Sequence, residues 1–335
     1  MIAVQPDIRR LPPRQIYFAA PSSGLASVGL LSVAFLSSSL AVITTMGLKS
    51  LENEAMQVLD QLVDIHNLPA WMQKEAHILR GYRPEFKSFR RCYHSLWYIH
   101  NETVNIWSHL LTGSIFAVLL AWTGLPEFRE QFNCTDGELR ALRVYLLGTS
   151  LCLYFSASYH CLSCHSEHVA KECLKLDLLG IVTGTTVTCV SATYFGLWRH
   201  DPQLTSTYIT LELLCAAATF WAVIDPKMHT QSAAPLRAII FVGLGASGYL
   251  PILHAAISDR LSLEHFSLPH LTVTTIAFCL GTALYVVRIP ESWWPGTFDI
   301  WGASHQVFHI LVNCAQISHL LGLWYLLRRG ELQTS

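Results

Sequence analysis

The sequence predicts an all-α integral membrane protein, a seven-transmembrane helix bundle. Three observations lead there. Charged residues are 13% of the 335, about half of the ~25% usual in soluble domains, and mean hydropathy is +0.36. Seven apolar stretches are each long enough to cross ~30 Å of hydrocarbon as a helix. The gaps between them are short and hold helix breakers. A net charge of −1 offers nothing to a polyanion, so no nucleic-acid partner is expected.

Span one, at 105–125, stops at Pro126, and span two, at 142–163, gives way to the polar stretch Cys164–Lys175. Span three, at 177–198, ends before His200–Pro202, and span four, at 206–224, ends before Pro226. Span five, at 237–257, precedes Asp259–Pro269, and span six, at 269–288, precedes Pro290–Pro295. Span seven runs from 304 to 327, which leaves 328–335 as a short tail. The bundle therefore occupies 83–327, behind an N-terminal region 1–82. Within that region residues 24–48 are apolar but rich in Ser, Ala and Gly, and Arg9, Arg10 and Arg14 precede them. Such a segment fits a targeting sequence as well as a further span. Five of the ten cysteines (Cys152, Cys189, Cys215, Cys279, Cys314) lie inside apolar runs, where they read as small hydrophobes rather than a disulfide framework.

Lysines and arginines near the spans set the orientation. Lys74, Arg80, Arg83, Lys87, Arg90, Arg91, Lys171, Lys175, Lys227, Arg237 and Arg288 fall on one side; Arg129, Arg140, Arg143, Arg199, Arg260, Arg328 and Arg329 fall on the other. The bias puts the N-terminal side in the cytosol and the C-terminus outside. The acceptor triplet at Asn133 then lies on the outer side, where glycosylation occurs.

With that orientation three distant segments deliver polar groups to one layer near the inner face. Span seven begins with "SHQVFH", span two ends with Ser156 and His160, and span three begins at Asp177. His305 and His309 lie four apart, hence within roughly 40° on one helical face. Alone, such a pair at a helix end is commonly incidental. Joined by His160 from another helix, it suits Zn²⁺, and three histidines leave a fourth position open, as at catalytic zinc sites. Ionisable groups within spans are costly and usually functional.

Other candidates are weaker. Glu102, Asn105 and His109 share a face at the start of span one and read as ligands or as a polar lock on that helix end. Cys161-x-x-Cys164 has no second cysteine pair and reads as packing. Trp293, Trp294, Phe298 and Trp301 fit an aromatic interface belt. Glu212, His254 and His319 lie near the outer face, where a polar cluster at one depth would read as structural hydrogen bonding or as a pathway or second ion site.

Glu102-x-x-Asn105-x-x-x-His109, Ser156-x-x-x-His160 followed by Asp177, "CHSE" at 164–167 and "FDIWGASHQVFH" at 298–309 together resemble the progestin and adipoQ receptor family, the haemolysin III-related proteins. The resemblance covers about 83–327 and is nearest the adiponectin-receptor branch with its fungal members. It implies seven helices with the N-terminus inside and zinc on His160, His305 and His309. It further implies Asp177 reaching the metal through water, with Ser156 beside it. Two functions follow: zinc-dependent hydrolysis of ceramide-like amide lipids, or a non-catalytic receptor in which zinc is structural. Either implies membrane lipids as partners, allows an extracellular protein ligand, and is compatible with the plasma membrane or an endomembrane.

Overall fold

The computed structural model describes residues 62–132, 134–258 and 263–334. The apolar stretch 24–48 and Asn133 lie outside the described residues. Those described are almost wholly helical, with a single isolated β-bridge between Val63 and Tyr82. A short α1 (Phe89–His94) precedes the long rods α2 (Thr103–Trp122), α4 (Asp136–Leu162), α5 (Glu167–Leu197) and α6 (Pro202–Ile224), with α3 (Pro126–Gln131) capping the turn between α2 and α4. The fifth rod is the broken pair α7 (Ala234–Ser247) and α8 (Leu250–Ile257), followed by α9 (Leu268–Val287) and α10 (Ser304–Thr334). Each expected span has its helix. Five are long and apolar enough to cross a membrane, and the broken pair makes six. The remaining rod, α4, carries Asp136, Glu138, Arg140 and Arg143 in its first turns.

Helix boundaries differ from expectation where local chemistry extends or breaks a rod. Helix α4 starts six residues early because Thr135 and Glu138 form a capping box: Glu138 N donates to Thr135 Oγ1 and the carboxylate accepts from Thr135 N. Helix α5 starts at Glu167 rather than 177. Its first turns are charged yet helical, with Lys171 on Glu167 at 2.7 Å and Lys175 on Glu172 at 2.6 Å. Span five, expected to be continuous, bends by 42° between α7 and α8. Pro251 cannot donate to the carbonyl four residues back and its ring crowds that turn. Gly248 sits at the break, where a Cβ would lie 2.7 Å from Cys189 Sγ.

Helix α10 packs on α2, α4, α5 and α9 and is the most buried of the membrane-length helices. Its polar residues His309, Asn313, Gln316 and His319 therefore face protein, while Leu213, Leu214, Trp221, Ile239 and Ile276 on other rods point outward. That inverted arrangement suits a lipid solvent. Gly180 and Gly184 bring α5 against α4: a Cβ on Gly180 would stand 3.1 Å from the Cys152 carbonyl oxygen. Small residues four apart permit this close backbone approach. At one end Phe116, Phe128, Leu142, Tyr145 and Leu323 form a core. At the other, Ile65, Leu68, Ile78 and Tyr82 pack on Ala303, so residues 63–82 fold onto the entry to α10.

Candidate metal centre

The last turn of α4 supplies His160, and the first two turns of α10 supply His305 and His309. One nitrogen from each lies within 4.8 Å of the others, and the ring centroids are 4.8 to 4.9 Å apart. His160 and His309 are buried; His305 is partly so.

The ring tautomers suit an ion. His309 Nδ1 lies 3.0 Å from the Asn105 carbonyl oxygen, which only accepts, so Nδ1 carries the proton and Nε2 keeps its lone pair. His160 Nδ1 lies 2.7 Å from Glu102 Oε2, and its Nε2 is buried without a hydrogen-bond partner. An orphaned imidazole nitrogen at the meeting point of two more rings is what a divalent cation would satisfy. Glu102 also accepts from Asn105 Nδ2 at 2.6 Å. Burial would raise this carboxyl, and the hydrogen bonds from His160 and Asn105 oppose it by favouring the carboxylate.

Several supports hold the trio. Arg83, 2% exposed, donates to the His160 carbonyl at 2.6 Å, the Cys161 carbonyl at 3.0 Å and Ser95 Oγ at 2.8 Å. It thereby satisfies carbonyls that the end of α4 leaves open. Glu291 accepts from Ser304 N at 2.7 Å and from Ser304 Oγ, fixing the start of α10. Gln306 donates to the Asn101 carbonyl at 3.1 Å and ties α10 to the entry of α2. Sequence reasoning counted Arg83 only as a charge and passed over Glu291 and Gln306. The "ETVN" pattern flagged Glu102 and Asn105 without showing that they serve the histidines.

Asp177 lies in the third turn of α5 and faces Ser156 of α4. Both line, with the three histidines, one cavity of about 770 Å³. Asp177 is not in the ligand-distance group, and neither is His109, which stacks on His309 with centroids 3.7 Å apart. The cavity runs from Lys74, Glu75 and Arg288 past the histidines to Ile252, Phe278 and Gln316.

The remaining candidates resolve into packing. Cys164 Sγ lies 3.7 Å from Cys92 Sγ, and all ten cysteines are free. Glu212, His254 and His319 do not cluster: they pair separately with Thr193, Tyr208 and Ser191. Trp293, Trp294 and Trp301 are more than half exposed, whereas Phe298 packs against the cluster of Ile65, Leu68, Ile78 and Tyr82.

Residues 97–320 match the family described as haemolysin-III related. The chain belongs to that family. Among similar proteins, the adiponectin receptor protein of Drosophila melanogaster is 36% identical over 263 residues, covering 77% of this chain and 57% of the fly protein. The ADIPOR-like receptor IZH2 of Saccharomyces cerevisiae is 33% identical over 273 residues, covering 81% and 85%. The heptahelical transmembrane protein ADIPOR1 of Oryza sativa subsp. japonica is 28% identical over 311 residues, covering 77% and 82%. The chain thus spans under two thirds of the fly relative's length. This haemolysin-III-related chain is an adiponectin-receptor-like multi-pass membrane protein, and its buried histidine trio is a group that could hold a metal ion.

Proposed function

We propose that this protein crosses the membrane seven times with its N-terminal side in the cytosol, holds zinc on His160, His305 and His309, and hydrolyses the amide bond of ceramide-like lipids. The observation that carries this is the trio at the polar end of a 770 Å³ cavity, with Asp177 and Ser156 on its wall. Bound there, zinc would polarise the amide carbonyl and generate a nucleophile at neutral pH.

The chain's own residues have distinct tasks. Glu102 keeps the proton on His160 Nδ1, which leaves Nε2 free to ligate. The Asp177 carboxylate takes a proton as the nucleophile adds and returns it to the departing amine nitrogen. Ser156 orients that carboxylate. The apolar walls at Ile252, Leu271 and Phe278 take the acyl chain and keep bulk water out. Membrane lipids of the plasma membrane or an endomembrane supply the substrate, and the outer face is available to an extracellular protein ligand.

The names of the relatives favour a second reading, a receptor in which zinc only braces the helices. A structural zinc usually has four protein ligands, whereas the group here has three among the described residues, which favours hydrolysis. The test is fatty-acid release from ceramide by purified protein in lipid nanodiscs. Activity lost on replacing His160, His305 and His309 with alanine supports the proposal; no release by metal-loaded wild-type protein refutes it.

A further inference from the structure

Seven residues beyond His309, two helical turns deeper on nearly the same face of α10 and about 10 Å along its axis, Gln316 enters the cavity wall. Its surroundings are unusual for an amide deep in a lipid-facing protein. It is 2% exposed and held from two neighbouring rods. On α4, Tyr145 Oη and Thr149 Oγ1 lie 3.0 and 3.4 Å from Gln316 Oε1; on α5, Thr188 Oγ1 lies 3.4 Å from it. The Tyr145 hydroxyl also donates to the Gln316 carbonyl at 2.6 Å. One end of the amide is therefore held among these three hydroxyls. Its other amide atom has no hydrogen-bond partner among the described residues and is not closed off. It looks into the cavity beside Gly184, where a Cβ would stand 3.7 Å from it.

We infer that Gln316 is a hydrogen-bonding subsite for a hydroxyl carried part-way along a lipid chain whose polar end lies at the histidine trio. The chemistry selects the hydroxyl. A plain acyl chain would strand a buried amide, which is costly. A carboxylate or ammonium would lack a counter-charge beside Gln316, whose side-chain partners are all hydroxyls; the cavity's cations Lys74, Arg237 and Arg288 and its carboxylates Glu75, Glu102 and Asp177 belong to the histidine end of the wall. A hydroxyl both donates and accepts, so it pairs with whichever end of the amide faces it. Sites built to bond a ligand hydroxyl discriminate strongly against analogues without one.

This inference rests on the proposal that the cavity takes a lipid, and the experiment separates the two. The full-length protein in phosphatidylcholine nanodiscs is titrated with octadecanoic acid and with a positional series of hydroxyoctadecanoic acids, each displacing a fluorescent fatty acid. In the wild type one mid-chain isomer binds roughly tenfold tighter than octadecanoic acid, the worth of one well-made buried hydrogen bond. In Gln316→Leu that peak disappears while octadecanoic acid binds at least as well as before. Gln316→Met, of similar length, gives the same comparison if the leucine protein does not fold. A flat wild-type series, as water on the amide would produce, overturns the inference and leaves the lipid reading intact; so does a peak retained in both variants. Failure of octadecanoic acid to bind at all removes the lipid reading, and this subsite with it.

Discussion

Replacing Glu102 tests how the histidine trio is prepared for a cation. The carboxylate accepts a hydrogen bond from His160 Nδ1 at 2.7 Å, with the imidazole 4% exposed and the carboxylate 27% exposed. Such a charge-assisted bond, largely out of solvent, is worth about 1.5–3 kcal/mol, against about 0.5–1.5 for a neutral one. Glu102→Gln keeps the shape and leaves a neutral acceptor, so about 1.4 kcal/mol is lost and metal affinity falls roughly tenfold. Glu102→Ala removes the acceptor and frees the ring to turn or to move its proton to Nε2, which blocks ligation. Up to a hundredfold is then expected, the upper range for partners of metal-bound histidines. The assay is competition for Zn²⁺ against a chromophoric chelator, with purified protein in nanodiscs. Wild type should bind most tightly, then Glu102→Gln, then Glu102→Ala. Equal affinities within twofold, or a glutamine variant weaker than the alanine one, would refute the assigned role of Glu102.

Arg83→Met removes the guanidinium from the His160 and Cys161 carbonyls, leaving them the Ser163 hydroxyl and the weaker Cys164 thiol, and should lower both thermal stability, by about 1.5–3 kcal/mol, and zinc affinity; Arg83→Lys should recover part of each. Melting curves with chelated and loaded protein check this. Gly180→Val places a Cβ 3.1 Å from the Cys152 oxygen and 3.2 Å from its Cα, backbone atoms that cannot swing aside. It should push α5 from α4 at a cost of about 1–3 kcal/mol, read as a lower melting temperature. Arg288→Gln breaks the 2.7 Å pair with Glu75 and the 2.9 Å bond to Gln231, which link residues 63–82 to the rods along the cavity wall. Fatty-acid dissociation should quicken while stability changes by under ~1 kcal/mol, because the pair is partly exposed; stopped-flow release of a fluorescent fatty acid measures it.

The rods themselves were legible because lipid imposes length and apolarity on any helix that crosses it. Their ends were not, since hydropathy ignores what happens in the polar layers. Charged pairs such as Lys171–Glu167 extend a helix through water as readily as leucine does through lipid. The break at Gly248 and Pro251 was written in the residues, yet an apolar run masks a proline when only composition is averaged. The histidine trio followed from topology plus the four-residue spacing. What holds it did not: Glu102 and His160 are 58 residues apart and Arg83 is 77 from His160. Only a helix-to-helix register, as where Asn105 meets His309, shows which polar groups meet. Likewise, His109 matches the motif as well as any ligand, but it stacks on His309 instead of converging with it.

The most direct test of the metal centre is elemental analysis with X-ray absorption at the metal edge on purified protein and on the His160→Ala, His305→Ala, His309→Ala triple variant. One zinc per chain, bound by three imidazole nitrogens and an oxygen and absent from the variant, is the predicted result. Zinc missing from the wild type, or retained unchanged by the variant, would contradict it.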